Sequence, residues 1–240
     1  MPRVLEIGIQ TAISRRGVAV IVIPGDVALR DAVEQQPRLL FAEPKPTVCP
    51  SDDELGVLSE VLNRSKKITI LGGAGCAGAH GELVELAGKL QSPIVHAFRG
   101  KEFIEYDNPF DVGMTGLLGF SSGYHAMMSC DTLLMIGTDF PYQQFLPKDA
   151  TVVQIDVRGE QLGRRSKVDF GFVGDTKTTL QKLSPRLKQN QYEAHLKESL
   201  EHYRKARQGL DELASRDSSS ELIHPQYVAS VIDPRFRERC

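Results

Sequence analysis

Apolar residues along this chain gather in short blocks, and from residue 51 onward those blocks alternate with amphipathic stretches. Residues 3–15 have helical spacing, with Val4, Ile7, Ile9 and Ile13 apolar, and Gly17 supplies a stop. Residues 18–23 are a continuous apolar run, mostly β-branched. That pattern predicts a strand buried on both faces, ended by Pro24-Gly25. Such a strand needs neighbours on both sides, and residues 1–27 supply none. This segment is therefore expected to be the tail of a domain whose body lies elsewhere. Residues 28–50 carry Pro37, Pro44, Pro46 and Pro50 and read as a linker.

At Ser51 the pattern changes. Ser51-Asp52-Asp53-Glu54 opens a helix with Leu55, Leu58, Val61 and Leu62 on one face. A strand over 68–71 follows, then a helix over 79–90 with Leu83, Leu86, Ala87 and Leu90 inward. A strand over 93–98 leads to a loop and helix between 115 and 130. Residues 111–116 do not read as a buried strand. Strands follow over 132–136 and 152–156, with a shorter one near 170–173 and a helix from 175 to about 187. Strands alternating with helices predict an α/β fold: a doubly wound, mostly parallel sheet with helices on both faces. Residues 190–214 predict a charged helix that docks one stripe, built on Leu196, Leu200 and Tyr203 among others. A Ser-rich linker and a short helix from His224 complete the chain, and no internal repeat is visible.

Composition narrows the function classes. The apolar fraction of 41% suffices for a packed core, and the net charge of −2 gives no electrostatic case for nucleic acid or an anionic membrane. Cys49, Cys76, Cys130 and Cys240 have neither zinc-site nor disulfide-framework spacing. No apolar run reaches the ~20 residues that span a bilayer, and the amino terminus lacks a signal-peptide pattern. The expectation is a cytoplasmic protein.

The chemistry concentrates between residues 93 and 147. Three glycine-bearing turns interleave there with two strand-like runs. Arg99-Gly100-Lys101 follows the first run, Thr115-Gly116-Leu117-Leu118 lies between them, and Thr138-Asp139-Phe140-Pro141-Tyr142 follows the second. In an open α/β sheet, ligands bind outside the carboxyl ends of the strands, where glycine lets backbone N–H groups approach a phosphate or a flat ring. These turns predict one crevice built from several strand ends. Arg99 and Lys101 could hold a phosphate or form a solvated pair. Asp156, ending a later strand, could accept from a ribose or cap the segment after it. Gly174-Asp175 reads first as a helix N-cap.

Two further motifs are ambiguous. Gly73-Ala74-Gly75-Cys76-Ala77-Gly78 is a literal G-x-G-x-x-G between strand and helix, either a pyrophosphate loop or a tight turn. An NAD site also needs an acidic residue at the end of the next strand, where this chain has Arg99-Gly100-Lys101. Gly119-Phe120-Ser121-Ser122-Gly123 is a literal G-x-S-x-G, and Asp156 and His195 would follow in triad order. Without a preceding strand, the expectation is that Ser121 or Ser122 caps a helix.

Taken together, the runs PIVHAFRGKE, DNPFDVGMTGLLGFSSGYHAMM, DTLLMIGTDFPY, FLP, VVQIDV, LGRRSKVD, VGDTKTTL and IHPQYVA resemble the central domain of thiamine-diphosphate-dependent enzymes. Within that superfamily they are most similar to the bacterial pyruvate oxidases, also called quinone-dependent pyruvate dehydrogenases. The resemblance covers the chain to about Asp233.

It implies a tail of an amino-terminal pyrimidine-binding domain at 1–27, a linker at 28–50, and a central FAD-binding domain at 51–188. A connecting helix and linker at 189–222 and the start of a diphosphate-binding domain at 223–240 would follow. Carried over by motif, FAD contacts fall on Thr115, Gly116, Leu117, Leu118, Thr138, Asp139, Phe140, Pro141, Tyr142 and Asp156, with Arg99, Gly100 and Lys101 as additions. The parent reaction would be oxidative decarboxylation of pyruvate, with electrons passing through FAD to quinone or oxygen in a homo-oligomer. The family's Gly-Asp-Gly…Asn-Asn motif for thiamine diphosphate and Mg2+ is absent here, and its catalytic Glu belongs to the amino-terminal domain. This chain alone is thus expected to be inactive. A non-redox relative such as acetolactate synthase and a ligand-free interface domain are the rivals.

Overall fold

A computed structural model describes residues 2–15, 17–31, 46–215 and 222–232. The chain divides into two compact units, 1–47 and 48–240.

The first unit contains helix α1 (Pro2–Arg15), as its spacing predicts, and the short helix α2 (Gly25–Ala28). Residues 18–23 are not a strand. They run without a ladder partner among the described residues, and Val18, Val20 and Val22 are 94%, 80% and 83% exposed. β-branched composition favours an extended backbone, but a strand also requires a hydrogen-bonded neighbour.

The second unit is the α/β body. Helix α3 (Asp52–Arg64) starts on a capping box: the Ser51 hydroxyl accepts from Glu54 N–H, and the Glu54 carboxylate accepts from Ser51 N–H at 2.7 Å. That acceptance holds the Glu54 carboxyl below its ordinary pKa. Strand β1 (Ile68–Gly72) then enters the sheet, and helix α4 (His80–Leu90) follows. Strand β2 (Ile94–His96) is shorter than predicted, because residues 98–100 turn into a 3-10 helix that leads into α5 (Lys101–Ile104).

Strand β3 (Asp111–Met114) is present where the sequence argues against one. It is an edge strand with an irregular register against β2, and Gly113 has φ +88°. A single core side chain, Val112, leaves too little apolar signal to announce it. Helix α6 (Ser121–Met128), strand β4 (Thr132–Ile136), strand β5 (Thr151–Asp156), strand β6 (Phe170–Val173) and helix α7 (Thr176–Leu183) follow as predicted. Helices α8 (Ala194–Leu213) and α9 (Pro225–Ile232) complete the unit.

All six strands are parallel, in the order β3-β2-β1-β4-β5-β6. Period-2 alternation sends their side chains to opposite faces. Ile68, Ile70, Leu134, Ile136, Val153 and Ile155 join α3, α4 and α7 in one core. Leu71, Val95, Leu133 and Met135 join α6, with Leu200 and Tyr203 of α8 packed against them, in the other. The chain reverses direction of growth between β1 and β4. In open α/β sheets, ligands bind at the carboxyl edge beside such a switch point.

A candidate ligand crevice at the carboxyl edge of the sheet

Strand order brings the predicted turns to this edge in the sequence Thr115 (β3), Arg99 (β2), Gly73 (β1), Thr138 (β4) and Asp156 (β5). Four interstrand steps of ~4.8 Å make that row about 19 Å long.

At the switch point itself the glycines serve packing. Gly73 N–H donates to the Ile136 carbonyl at 3.0 Å, and Gly75 N–H donates to the Gly137 carbonyl at 2.9 Å. A Cβ on Gly73 would lie 2.5 Å from the Gly137 oxygen, and one on Gly75 would lie 2.6 Å from Gly137 Cα. Gly137 adopts φ +56°. The two N–H groups that a pyrophosphate would need are therefore engaged by β4, and the G-x-G-x-x-G run is a tight turn.

The β3 end is different. Thr115 N–H donates to the His96 carbonyl at 3.1 Å, which fixes the residue. Its side chain is 4% exposed, and Oγ1 is buried without a hydrogen-bond partner. A buried orphan hydroxyl costs about 1–3 kcal/mol, so it marks a place for an acceptor. Gly116, at φ +106°, lies against Phe140 and Tyr142, with 3.4 Å from a built Cβ to the Phe140 ring. Leu117 and Leu118 project from the loop tip, 67% and 76% exposed.

On β4, Thr138 is buried and Asp139 accepts from Arg165 Nε at 3.1 Å. Phe140 is buried in the core, with its ring edge-on to Tyr142 at 5.4 Å, while Pro141 is exposed. On β5, Asp156 is buried, and its Oδ1 accepts from Arg158 N–H at 2.9 Å. On β2, Arg99 is exposed. Gly100 is buried where a Cβ would meet the Gly72 oxygen at 2.9 Å, and Lys101 pairs with Glu105.

Sequence reasoning missed His96. Its ring is buried at the end of β2, 3.5 Å from Asp111 and 3.7 Å from Glu105. Burial, reinforced by Lys101, pushes its pKa down to about 4, so the ring is neutral at physiological pH. A lone histidine at the end of an apolar run carries no sequence signal of such neighbours.

The G-x-S-x-G run does follow a strand, β3, but builds no triad. Ser121 begins α6 with Oγ 3.3 Å from His202 Nε2, whereas His195 meets Thr69. Neither serine caps α6: Phe120 is the N-cap residue, and Ser122 Oγ donates to the Val112 carbonyl at 2.8 Å. Asp175 does cap α7, accepting from Thr178 N–H at 2.9 Å.

Among the described residues, no group of three or more His, Cys, Asp or Glu could hold a metal ion, and no helix is long and apolar enough to cross a membrane. The fold is that of a doubly wound α/β domain. Residues 57–183 match the family model "Thiamine pyrophosphate enzyme, central domain", and the chain belongs to that family.

An uncharacterized 42.6 kDa protein of Pseudomonas amyloderamosa is 57% identical over 91% of this chain and 56% of its own length. YdaP of Bacillus subtilis, provisionally described as thiamine pyrophosphate-containing, is 31% identical over 84% of this chain and 35% of its own length. Pyruvate oxidase of Lactiplantibacillus plantarum is a more distant match, at 24% identity over 75% of this chain and 31% of its own length. The chain thus spans between about a third and somewhat over half of these relatives. Among solved structures, benzoylformate decarboxylase from Polynucleobacter necessarius shares the fold, with TM-score 0.56 and 20% identity over 66% of this chain and 32% of that one.

Proposed function

We propose that this chain is the FAD-holding central domain of a pyruvate oxidase-like thiamine-diphosphate enzyme. The observation that carries the reading is Thr115: a buried, unpartnered hydroxyl beside Gly116, at one end of a row of strand termini. Thr115 Oγ1 would donate to a phosphate oxygen, and Gly116, at φ +106°, turns the loop past the Phe140 and Tyr142 rings. Thr138 lies at the next strand end beyond the switch point, and Asp156 would accept from the adenosine ribose or amine. A row of about 19 Å suits an extended dinucleotide. When bound, FAD would supply two-electron acceptance, and the protein would supply position and electrostatics. The described residues offer no His, Cys, Asp and Glu cluster for the Mg2+ of a thiamine diphosphate site.

The test is titration of the chain with FAD and with NADP, each followed by thermal stability and the first also by flavin fluorescence. FAD should stabilise preferentially. Asp156→Ala should weaken FAD binding by roughly 5- to 150-fold, the equivalent of one lost buried acceptor worth about 1–3 kcal/mol. Asp149→Ala, on the exposed loop before β5, should leave it unchanged. Preferential stabilisation by NADP, or FAD binding indifferent to Asp156→Ala, would sink the assignment. No binding of either nucleotide would favour the interface-domain reading.

A further inference from the structure

Helix α8 covers one face of the sheet, and its seam is lined with imidazoles. His195 and His202 lie on α8 one heptad apart, so they share a face. His195 is 3% exposed, with Nε2 2.8 Å from Thr69 Oγ1 on β1. The Thr69 hydroxyl donates its single proton to the Ala126 carbonyl at 2.7 Å. It therefore accepts from His195, which fixes the neutral ring as the Nε2–H tautomer. His202 stacks on His125 of α6 with centroids 4.7 Å apart, and its Nε2 is 3.3 Å from Ser121 Oγ. Apolar contacts from Leu196, Leu200 and Tyr203 complete the seam.

We propose that α8 is an acid-released strap, docked while the buried His195 ring is neutral and freed from the sheet when that ring takes up a proton. Protonating His195 places a charge on a ring that is 3% exposed.

α6 contains no carboxylate; its titratable groups are Tyr124 and His125, and the Cys130 thiol just after it is buried. β1 has no charged residue, and α9 has none. β3 contributes Asp111, which lies 3.5 Å from His96. Around His195, Lys67 reinforces the neutral state, whereas Asp131 and Glu198 oppose it. Burial is the largest influence and holds the His195 pKa below its ordinary value. The sign comes from linkage. Above about pH 6.5 the ring is neutral whether α8 is docked or free. Below it, only the free ring takes up the proton, so docking weakens as pH falls toward the docked-state pKa.

Hydrogen exchange on the full chain tests this, with rates corrected for the intrinsic pH dependence of exchange. Protection of amides 196–203 should fall about tenfold for each pH unit below roughly 6.5 until the docked ring also protonates. Amides of α3, which has no histidine, should hold their protection over the same range. His195→Gln, whose side-chain amide can still donate to Thr69, should flatten the response. Should His195→Gln fail to fold, the wild-type contrast between α8 and α3 decides the matter. Unchanged α8 protection, α3 falling in step with α8, or a full response in folded His195→Gln would each overturn the proposal.

Discussion

At the scale of single residues, this domain is governed by where backbone meets backbone. Gly75 sits in open chain by sequence, yet any side chain there would collide with the main chain at Gly137. Neither partner is the flexible end of a side chain, so relief requires the β1 and β4 termini to separate. Gly75→Ala should therefore destabilise by about 1–3 kcal/mol or more, read as a lower denaturant midpoint. Gly81, exposed in α4 with nothing near its missing Cβ, is the control. Gly81→Ala should be neutral or stabilise by up to roughly 1 kcal/mol through helix propensity. The glycine run is visible in the sequence, but its purpose is not. The contact that explains it lies on a different strand, and local spacing says nothing of that. Thr115 is reached through family-like motifs, whereas the orphaned state of its hydroxyl comes only from packing.

Elements are legible where local chemistry and tertiary context agree. The capping box at Ser51 reads directly, because both of its hydrogen bonds lie within four residues. Ser51→Ala should cost about 1 kcal/mol, seen as a fall in Tm with an unchanged ligand response, since α3 lies away from the carboxyl edge. Equal stability of the variant would show that Glu54 alone sustains the helix start. Elements fail to read where context overrides composition. Residues 18–23 have strand composition but no partner among the described residues. β3 has a partner, yet only Val112 and an edge position to show for it. The one-sided character of α8 is plain in its stripe. The histidines along its seam look like isolated packing or surface residues, because nothing in sequence pairs them.

For the whole molecule, the docking of α8 sets the extent of the stable body. The Val48 carbonyl accepts from Asp175 N–H at 2.8 Å, which ties the start of this unit to the loop before α7. His195, Leu196 and Ser199 are buried. Limited proteolysis near pH 7.5 should therefore yield a resistant fragment that begins close to Val48 and continues through α8. A fragment ending near residue 188 would show that α8 is not part of the folded body. The sheet imposes one more condition. Its central pair, β1 and β4, joins Ile70 to Leu134, so a loop of roughly 60 residues must close before those strands gain anything from each other. Among the described residues, this all-parallel sheet has no hairpin to seed it locally. The other ladders close over shorter stretches, so this pairing is expected to be the slowest to find, and until β4 arrives, apolar β1 has one edge open to any other chain nearby.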